Sequence, residues 1–329
     1  MNIDDTVRAV TEKGFTERQA RFLVLVARHS GVCVMRQYSA FAGIVFGQKT
    51  RKFFAKLERL GYVSTYDCAH NRARIYHLRH RDLYEAIGDP DSRLRRPPAV
   101  PRALERLMAL DVILENSHII WLSTPDEKVA HVSALTRVPL GAMPHSKVRH
   151  GDAEHVRYFP DRLPVGIHPE GRWVFVCLIT DGTGGDFRGF LQRHAELLSG
   201  LPAWTVRVAL PAHLAEYGQG FLRNAWNQLA SPMREPVLNE LRWYFEQLKE
   251  GRSEGRTVAD QRRFNTSVRA FSERRIPAMY QAWRQDGEAA LTVIGSAAIS
   301  SALDCGAGKI ELLVLPHAYS HLSPLVGVA

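Results

Sequence analysis

Residues 48–60, which follow Gly47, limit the possible folds more than any other stretch of the chain. Four apolar residues recur at the spacing of one helical face: Phe53, Phe54, Leu57 and Leu60. The side chains left for the outward faces are mostly basic: Gln48, Lys49, Arg51, Lys52, Lys56 and Arg59. Gly61 then occupies the position where helices commonly end in a residue with positive φ. The stretch predicts an amphipathic helix with a basic outer surface.

Two helices are predicted before this stretch and two strands after it. Thr16 and Gln19 have the spacing of a capping box, which predicts a helix from residue 16 to about residue 30. A shorter helix is expected over residues 35–41. Residues 62–66 and 73–78 alternate as strands on either side of a turn at 67–72. Three helices followed by such a hairpin predict a winged helix-turn-helix.

The positive charge of the chain is concentrated in its first third. The formal net charge is +9, and residues 1–96 hold 18 Lys and Arg against 10 Asp and Glu. Residues 97–329 are therefore almost neutral. A basic module on a neutral body favours an acidic partner, and nucleic acid is the first candidate.

Double-stranded DNA is the predicted partner of the N-terminal module. Basic side chains on the third helix and the hairpin would neutralise phosphates, and Gln48 or Arg51 could reach base edges. The predicted DNA-binding residues are Gln48, Lys49, Thr50, Arg51, Lys52, Lys56, His70, Asn71, Arg72 and Arg74. Two alternatives stay open: a basic helix face that is merely solvated, and a winged helix that binds protein.

Prolines 97, 98 and 101 predict the boundary of this module, so the expected domains are 1–96, 97–150 and 151–329. The middle region would be a linker with one leucine-rich helix over residues 102–116, used for packing or for dimerisation. His145, His150 and His155 recur every five residues, a spacing that places them on no common helix or strand face. We expect them in solvated loops rather than at a metal.

From residue 157 the pattern becomes that of an α/β domain. Strands are expected over 158–166, 173–179 and 204–210, with a helix over 187–199, and 309–315 reads as a closing strand that joins the sheet. Helices rich in aromatic residues fill most of the last third. This layout predicts a restriction-endonuclease-like core with C-terminal helices. The expected fold class is thus α+β and multidomain.

Two short motifs resemble the replication-relaxation family. They are Thr16-Glu17-Arg18-Gln19 at a helix start and Pro160-Asp161 in the later domain. The resemblance covers residues 14–80 and 101–211. Members of that family are found on plasmids and integrative elements, and they join a winged helix to a nuclease-like domain. The resemblance implies a DNA-binding protein of a mobile element with a regulatory or mobilisation role.

A nuclease site in the second domain would use Asp161 and Asp181, because phosphodiester hydrolysis needs carboxylates to hold Mg²⁺. The strand after Asp161 carries no acid-x-Lys pattern, and no lysine occurs between Lys147 and Lys249. We therefore predict a degenerate core with no catalytic residues, metal or cofactor. An active metal-dependent nuclease remains the less favoured alternative.

The four cysteines lie far apart, the first residues show no signal-peptide pattern, and no apolar run is long enough to span a bilayer. These features predict a cytoplasmic protein without a membrane partner. The expected function is that of a homodimeric transcriptional regulator that acts by occupying an operator. The alternative is an accessory DNA-binding factor in plasmid replication or conjugation.

Overall fold

The computed structural model describes residues 3–68, 73–150, 153–180, 185–230, 235–251, 257–271, 275–292, 297–317 and 319. They form a mixed α+β structure with several sheets, which confirms the α+β part of the predicted class. The N-terminal elements are α1 (Ile3–Thr11), α2 (Glu17–His29), β1 (Val32–Cys33), α3 (Met35–Ala42), α4 (Gln48–Arg59), β2 (Val63–Asp67), β3 (Arg74–Leu78) and α5 (Arg81–Ala86).

The local signals of the sequence account for the limits of α2 and α4. The Thr16 hydroxyl accepts the Gln19 N–H at 3.4 Å, and the Gln19 side chain accepts the Thr16 N–H at 3.1 Å. The predicted capping box is thereby confirmed. After α4, Gly61 has a φ of 71°, the left-handed conformation that glycine adopts without steric cost. The three predicted helices agree with α2, α3 and α4 to within two residues.

Aromatic side chains form the core of the N-terminal part. Tyr38 of α3 lies against Phe53 of α4 with ring centroids 4.4 Å apart, and Phe54 lies at the same distance from Tyr76 of β3. All four rings are buried. β3 is the middle strand of an antiparallel sheet with β2 on one side and β1 on the other. The helices and the hairpin are thus packed around one core.

The remaining elements build a larger body on a five-stranded sheet. They are α6 (Val100–Glu115), β4 (Ile120–Leu122), α7 (Pro125–Leu135), β5 (His145–His150), β6 (Ala153–Tyr158), β7 (Val165–Ile167), β8 (Trp173–Leu178), α8 (Gly185–Gly200), β9 (Trp204–Pro211), α9 (Ala215–Ala230), α10 (Glu235–Glu250), α11 (Val258–Ala270), α12 (Arg275–Asp286), α13 (Ala289–Thr292), α14 (Ala297–Asp304) and β10 (Gly308–Leu315).

The strands of this sheet follow the order β10-β9-β8-β7-β4. β8, β9 and β10 are parallel, whereas β7 runs antiparallel to both β8 and β4. All six residues of β8 are buried, as expected for a continuous apolar strand at the centre of a sheet. The predicted closing strand is confirmed by β10, which pairs with β9 at the edge.

Residues 97–150 were expected to form a linker with one helix, but α6 packs in the interior and β4 joins the main sheet. Leu110 of α6 packs into the N-terminal core, while Leu107 and Val112 pack with Val176 of β8 and Ala209 of β9. β4 is a strand of the main sheet. Because the middle of α6 is buried on all sides within one chain, it offers no surface to a second copy. This burial favours the packing alternative over the dimerisation alternative for this helix.

The three regularly spaced histidines lie in strands, so the predicted loop is wrong. His145 and His150 belong to β5, and His155 belongs to β6, which pairs with β5 as an antiparallel hairpin. Both faces of these strands carry polar residues, so apolar and polar side chains alternate only weakly along them. The sequence therefore shows no clear strand pattern here. Within the described part of the chain, no three His, Cys, Asp or Glu side chains are grouped as metal ligands.

The C-terminal helices have a small core of their own. Leu241 and Phe245 of α10 pack there against Ile276 and Met279 of α12. None of the described helices is long and apolar enough to cross a bilayer.

Candidate nucleic-acid interface

The orientation of α4 decides which of its side chains face solvent. Phe53, Phe54 and Leu57 are buried against the N-terminal core. Gln48, Lys49, Arg51, Lys52 and Arg59 are exposed on the remaining surface. Since the helix begins after Gly47, the positive end of its dipole lies beside Gln48 and Lys49, where it adds to the charge of the lysines.

Thr50 is the one predicted contact on α4 whose side chain faces inward. It is fully buried, and its hydroxyl lies 2.9 Å from that of Ser39 in α3. Thr50 precedes Phe53 by three residues and Phe54 by four, so it shares their face of the helix. We therefore remove Thr50 from the DNA-contacting residues and assign it to the junction of α3 and α4.

Lys56 and Arg74 are held by contacts within the chain. The Lys56 ammonium donates a hydrogen bond to the Gly14 carbonyl and lies 4.8 Å from the centroid of the Phe15 ring. The Arg74 guanidinium pairs with Asp67 at 2.9 Å. Both cations add positive potential near α4, but an intramolecular contact must be exchanged before either could bind a phosphate.

Arg74 also pairs with Glu58 of α4 at 3.6 Å, which ties the hairpin to this helix. The predicted contacts His70, Asn71 and Arg72, which the sequence assigns to a turn, lie outside the described residues.

Several cations of α4 have no acidic partner. Among the described residues, no carboxylate pairs with Lys49, Lys52 or Arg59. Other arginines of the N-terminal part are neutralised, as Arg21 is by Asp4 and Arg81 by Glu85. The outer face of α4 thus carries several unpaired positive charges, although Arg8, Lys13, Arg79 and Arg96 also lack an acidic partner among the described residues.

Two exposed apolar residues next to α4 were missed by the sequence reasoning. Val45 is 92% exposed and Phe46 is 50% exposed, and both lie just before the helix. The Arg51 guanidinium lies 5.7 Å from the centroid of the Phe46 ring. An apolar pair in front of a basic helix was a visible signal, because exposed apolar groups beside charged ones often mark a binding surface.

A buried carboxylate fixes α3, and with it α4, to the body. The Arg36 guanidinium donates two hydrogen bonds of 2.7 Å to the two oxygens of Asp111 in α6. The Gln37 amide donates a third at 2.9 Å, and the Tyr319 hydroxyl donates to the same carboxylate. Asp111 is buried, so this network holds the N-terminal helices in a defined position on α6.

Asp161, the predicted nuclease carboxylate, lies in a strained turn after β6. Phe159 and Arg162 on either side have positive φ values of 44° and 57°, which is costly for residues other than glycine. One Asp161 oxygen accepts the Leu163 N–H at 3.3 Å. The other oxygen is buried without a hydrogen-bond partner, 3.7 Å from Nε2 of His194.

Lys128 and His194, which the sequence reasoning did not single out, are buried in the region of Asp161. The Lys128 ammonium donates to the Leu163 carbonyl at 2.8 Å, and burial lowers its pKa to about 8. His194 donates from Nδ1 to the Phe190 carbonyl at 2.9 Å. Burial lowers the pKa of His194 to about 4 despite the nearby charge of Asp161, so the ring is neutral at pH 7.

This cluster does not complete a metal site. No second carboxylate joins Asp161 among the described residues, and the other predicted ligand, Asp181, lies outside them. A single carboxylate beside a lysine and a neutral histidine is not the ligand set that holds Mg²⁺, which prefers several oxygen ligands.

Comparison of the chain with protein-family models, with curated proteins and with solved structures gives no match. The resemblance to the replication-relaxation family therefore stays a prediction.

Proposed function

We propose that this chain is a sequence-specific double-stranded DNA-binding protein. In this proposal α2, α3, α4 and the β2–β3 hairpin act as a winged helix, and α4 is the recognition helix. The observation that carries the proposal is the outer face of α4, where Lys49, Lys52 and Arg59 have no acidic partner among the described residues.

The dimensions and the charge of α4 suit the major groove. An α-helix of about 10–12 Å diameter enters a groove about 12 Å wide. Lys49, Lys52 and Arg59 would contact phosphates on the groove walls, and Gln48 and Arg51 would contact base edges from the first turns of the helix. The hairpin would lie along the neighbouring backbone with Arg74 at its side.

The proposed role of the five-stranded body is that of a non-catalytic support with a restriction-endonuclease-like arrangement. The succession of β7, β8, α8 and β9 supports this assignment. The described residues provide only an incomplete ligand set at Asp161, which favours binding over cleavage. If the body did cleave DNA, purified protein would nick duplex with Mg²⁺ or Mn²⁺, and Asp161→Ala would abolish the nicking.

The proposed mode of action is operator occupancy by a homodimer. One small module rarely supplies enough affinity to distinguish one site in a genome, so two copies of α4 about one DNA turn apart (~34 Å) would share the recognition. Because the middle of α6 is buried within the chain, the dimer would form through another surface or on the DNA itself.

Mapping of bound sites across the genome tests this proposal and its nearest rival. A regulator is expected to occupy one or a few sites that overlap promoters. Occupancy confined to a replication or transfer origin would instead support the accessory role. The triple variant Lys49→Ala/Arg51→Ala/Lys52→Ala should lose the bound sites whether the protein is a regulator or an accessory factor. Retention of those sites would contradict DNA binding through α4.

A further inference from the structure

A cavity of about 610 Å³ lies where the N-terminal part meets the body. Its walls come from the end of α2, the segment 89–94, the helices α6 and α7, the strands β5 and β6, and the turn around Asp161. This volume falls within the range of small-molecule binding sites in proteins. The cavity is separate from the outer face of α4.

Four arginines in the wall of this cavity have no acidic partner among the described residues: Arg93, Arg106, Arg157 and Arg162. The Nη1 atom of Arg106 is buried and has no hydrogen-bond partner. A buried guanidinium nitrogen without an acceptor is costly, and such an orphan is rarely tolerated without a reason.

Two pairs of arginines in the wall lie close enough for their charges to oppose each other: Arg106 with Arg102, and Arg157 with Arg93. Burial lowers the pKa of Arg106, and the neighbouring charge of Arg102 lowers it further. Burial likewise lowers the pKa of Arg157, and the positive charge of Arg93 lowers it further. An anion bound between Arg93 and Arg157 would offset their repulsion, and an anion that reached Arg106 would accept a hydrogen bond from its unsatisfied Nη1.

The cavity also contains acidic residues, and they do not neutralise these arginines. Glu105 pairs with Arg102. The other acidic residues in the wall are Asp89, Asp91, Asp126 and Asp161. The exposed carboxylates of Asp91 and Asp126 would accept hydrogen bonds from hydroxyl or amino groups of a ligand, which suits a compound with an anionic end and a polar body.

We propose that this cavity binds a small molecule through a phosphate or carboxylate group held by Arg93, Arg106 and Arg157. Guanidinium groups match these oxyanions because they donate two parallel hydrogen bonds in one plane. The ligand site does not depend on the proposed function; only its effect on DNA affinity does.

Two contacts connect the wall of the cavity to the proposed DNA-binding elements. His77 of β3 donates from Nε2 to the Leu94 carbonyl at 2.8 Å, next to Arg93. The Ser30 hydroxyl after α2 donates to the Arg106 carbonyl at 3.1 Å. A ligand that moved Arg93 or Arg106 would therefore act on the hairpin and on α2, which makes the cavity a candidate effector site.

Isothermal titration of the full chain without DNA tests the site. The probes are inorganic phosphate, pyrophosphate, ribose 5-phosphate and adenosine triphosphate, with citrate as the carboxylate arm. We expect at least one probe to bind with one-to-one stoichiometry and a Kd below about 1 mM, and to raise Tm. The arm that binds most tightly identifies the anionic group. No binding by any probe would overturn the proposal.

Two variants and a control locate the binding. Arg106→Met and the double variant Arg93→Met/Arg157→Met should each weaken binding at least about tenfold. Arg106→Met should keep or raise the Tm of the ligand-free chain, because it replaces an unpaired buried cation with an apolar chain of similar length. Arg81→Met, at an exposed arginine outside the cavity, should bind as the wild type does. Equal binding by all four proteins would overturn the assignment.

A duplex-binding titration at a saturating concentration of the probe tests the regulatory effect, which rests on the proposed function. We expect a change in DNA affinity of at least about fivefold, abolished by Arg106→Met. Unchanged DNA affinity would overturn the effector role and leave the ligand site. Failure of the chain to bind any duplex would overturn the proposed function instead. If none of the anionic probes binds and Arg106→Met weakens DNA binding, the arginines would be assigned to DNA and the ligand site would be overturned.

Discussion

Replacing Lys49, Arg51 and Lys52 together by alanine should weaken DNA binding mainly through its dependence on salt. The three side chains are exposed on one side of the proposed recognition helix, and no carboxylate among the described residues neutralises the two lysines. Alanine is a good helix former, and all three positions face solvent, so the free energy of unfolding should change by less than about 0.5 kcal/mol per site.

The magnitude follows from counterion release. Each phosphate contact contributes about −0.9 to the slope of log affinity against log salt, so loss of the two phosphate contacts assigned to Lys49 and Lys52 reduces the slope by about 1.8. Between ~50 and ~200 mM salt, the wild type should therefore lose about 12-fold more affinity than the triple variant does. At low salt the two proteins should differ most, and the difference should shrink as salt rises.

Fluorescence anisotropy with a labelled mixed-sequence duplex, repeated at four salt concentrations, measures this slope. Circular dichroism of both proteins checks that the helices are retained. The matched control replaces Arg262, Arg269 and Lys309, three exposed cations of the body, by alanine. It removes the same charge, but screening over about 10 Å should leave its slope near that of the wild type. Parallel salt dependence in wild type and triple variant, or an equal reduction in the control, would refute the assignment of α4.

Three further predictions concern the interior. Asp111→Asn should lower the free energy of unfolding by about 3 kcal/mol in urea denaturation, because it leaves the half-buried Arg36 without its carboxylate; a change below the experimental error would contradict the network. The pKa of His194 is about 4 in the folded chain and about 6.5 in the unfolded chain. The free energy of unfolding should therefore fall as the pH is lowered from about 6.5 to 4, because the unfolded state then binds a proton that the folded state does not. The slope is up to about 1.4 kcal/mol per pH unit, and it should be smaller in His194→Gln by the same assay. A thiol reagent should label exposed Cys305 in the native chain and Cys33 only after unfolding, because Cys33 is buried and burial raises the pKa of its thiol. Mass spectrometry of labelled peptides measures this order, and labelling of Cys33 before Cys305 would contradict the burial of Cys33.

The elements of this fold were predictable wherever the signal is local. The apolar stripe, the Thr16 cap and Gly61 limit α2 and α4 to within two residues of where they lie. The buried strands β8 and β9 were equally clear, because continuous apolar runs need no partner to be recognised. Thr50 was misplaced although its helical phase pointed inward, since its basic neighbours dominated the interpretation.

The contacts that join distant segments left no pattern in the sequence. Arg36 and Asp111 are 75 residues apart, and Lys128 reaches the Leu163 carbonyl across 35. These pairs depend on how α6 and α7 pack, which is a tertiary property. The two-sided burial of α6 did leave a trace, because apolar residues between Ala103 and Ile113 cover nearly the whole circumference of the helix. That trace indicates an internal helix rather than a linker.

In vitro selection from a random duplex library with the purified full chain tests sequence-specific recognition by α4 most directly. Our account predicts enrichment of one motif, with two half-sites whose centres are ~10 base pairs apart, and Arg51→Ala should relax the base preference at one position of each half-site. A library that stays unenriched after repeated rounds, or a motif that is identical for the wild type and for Gln48→Ala/Arg51→Ala, would contradict it.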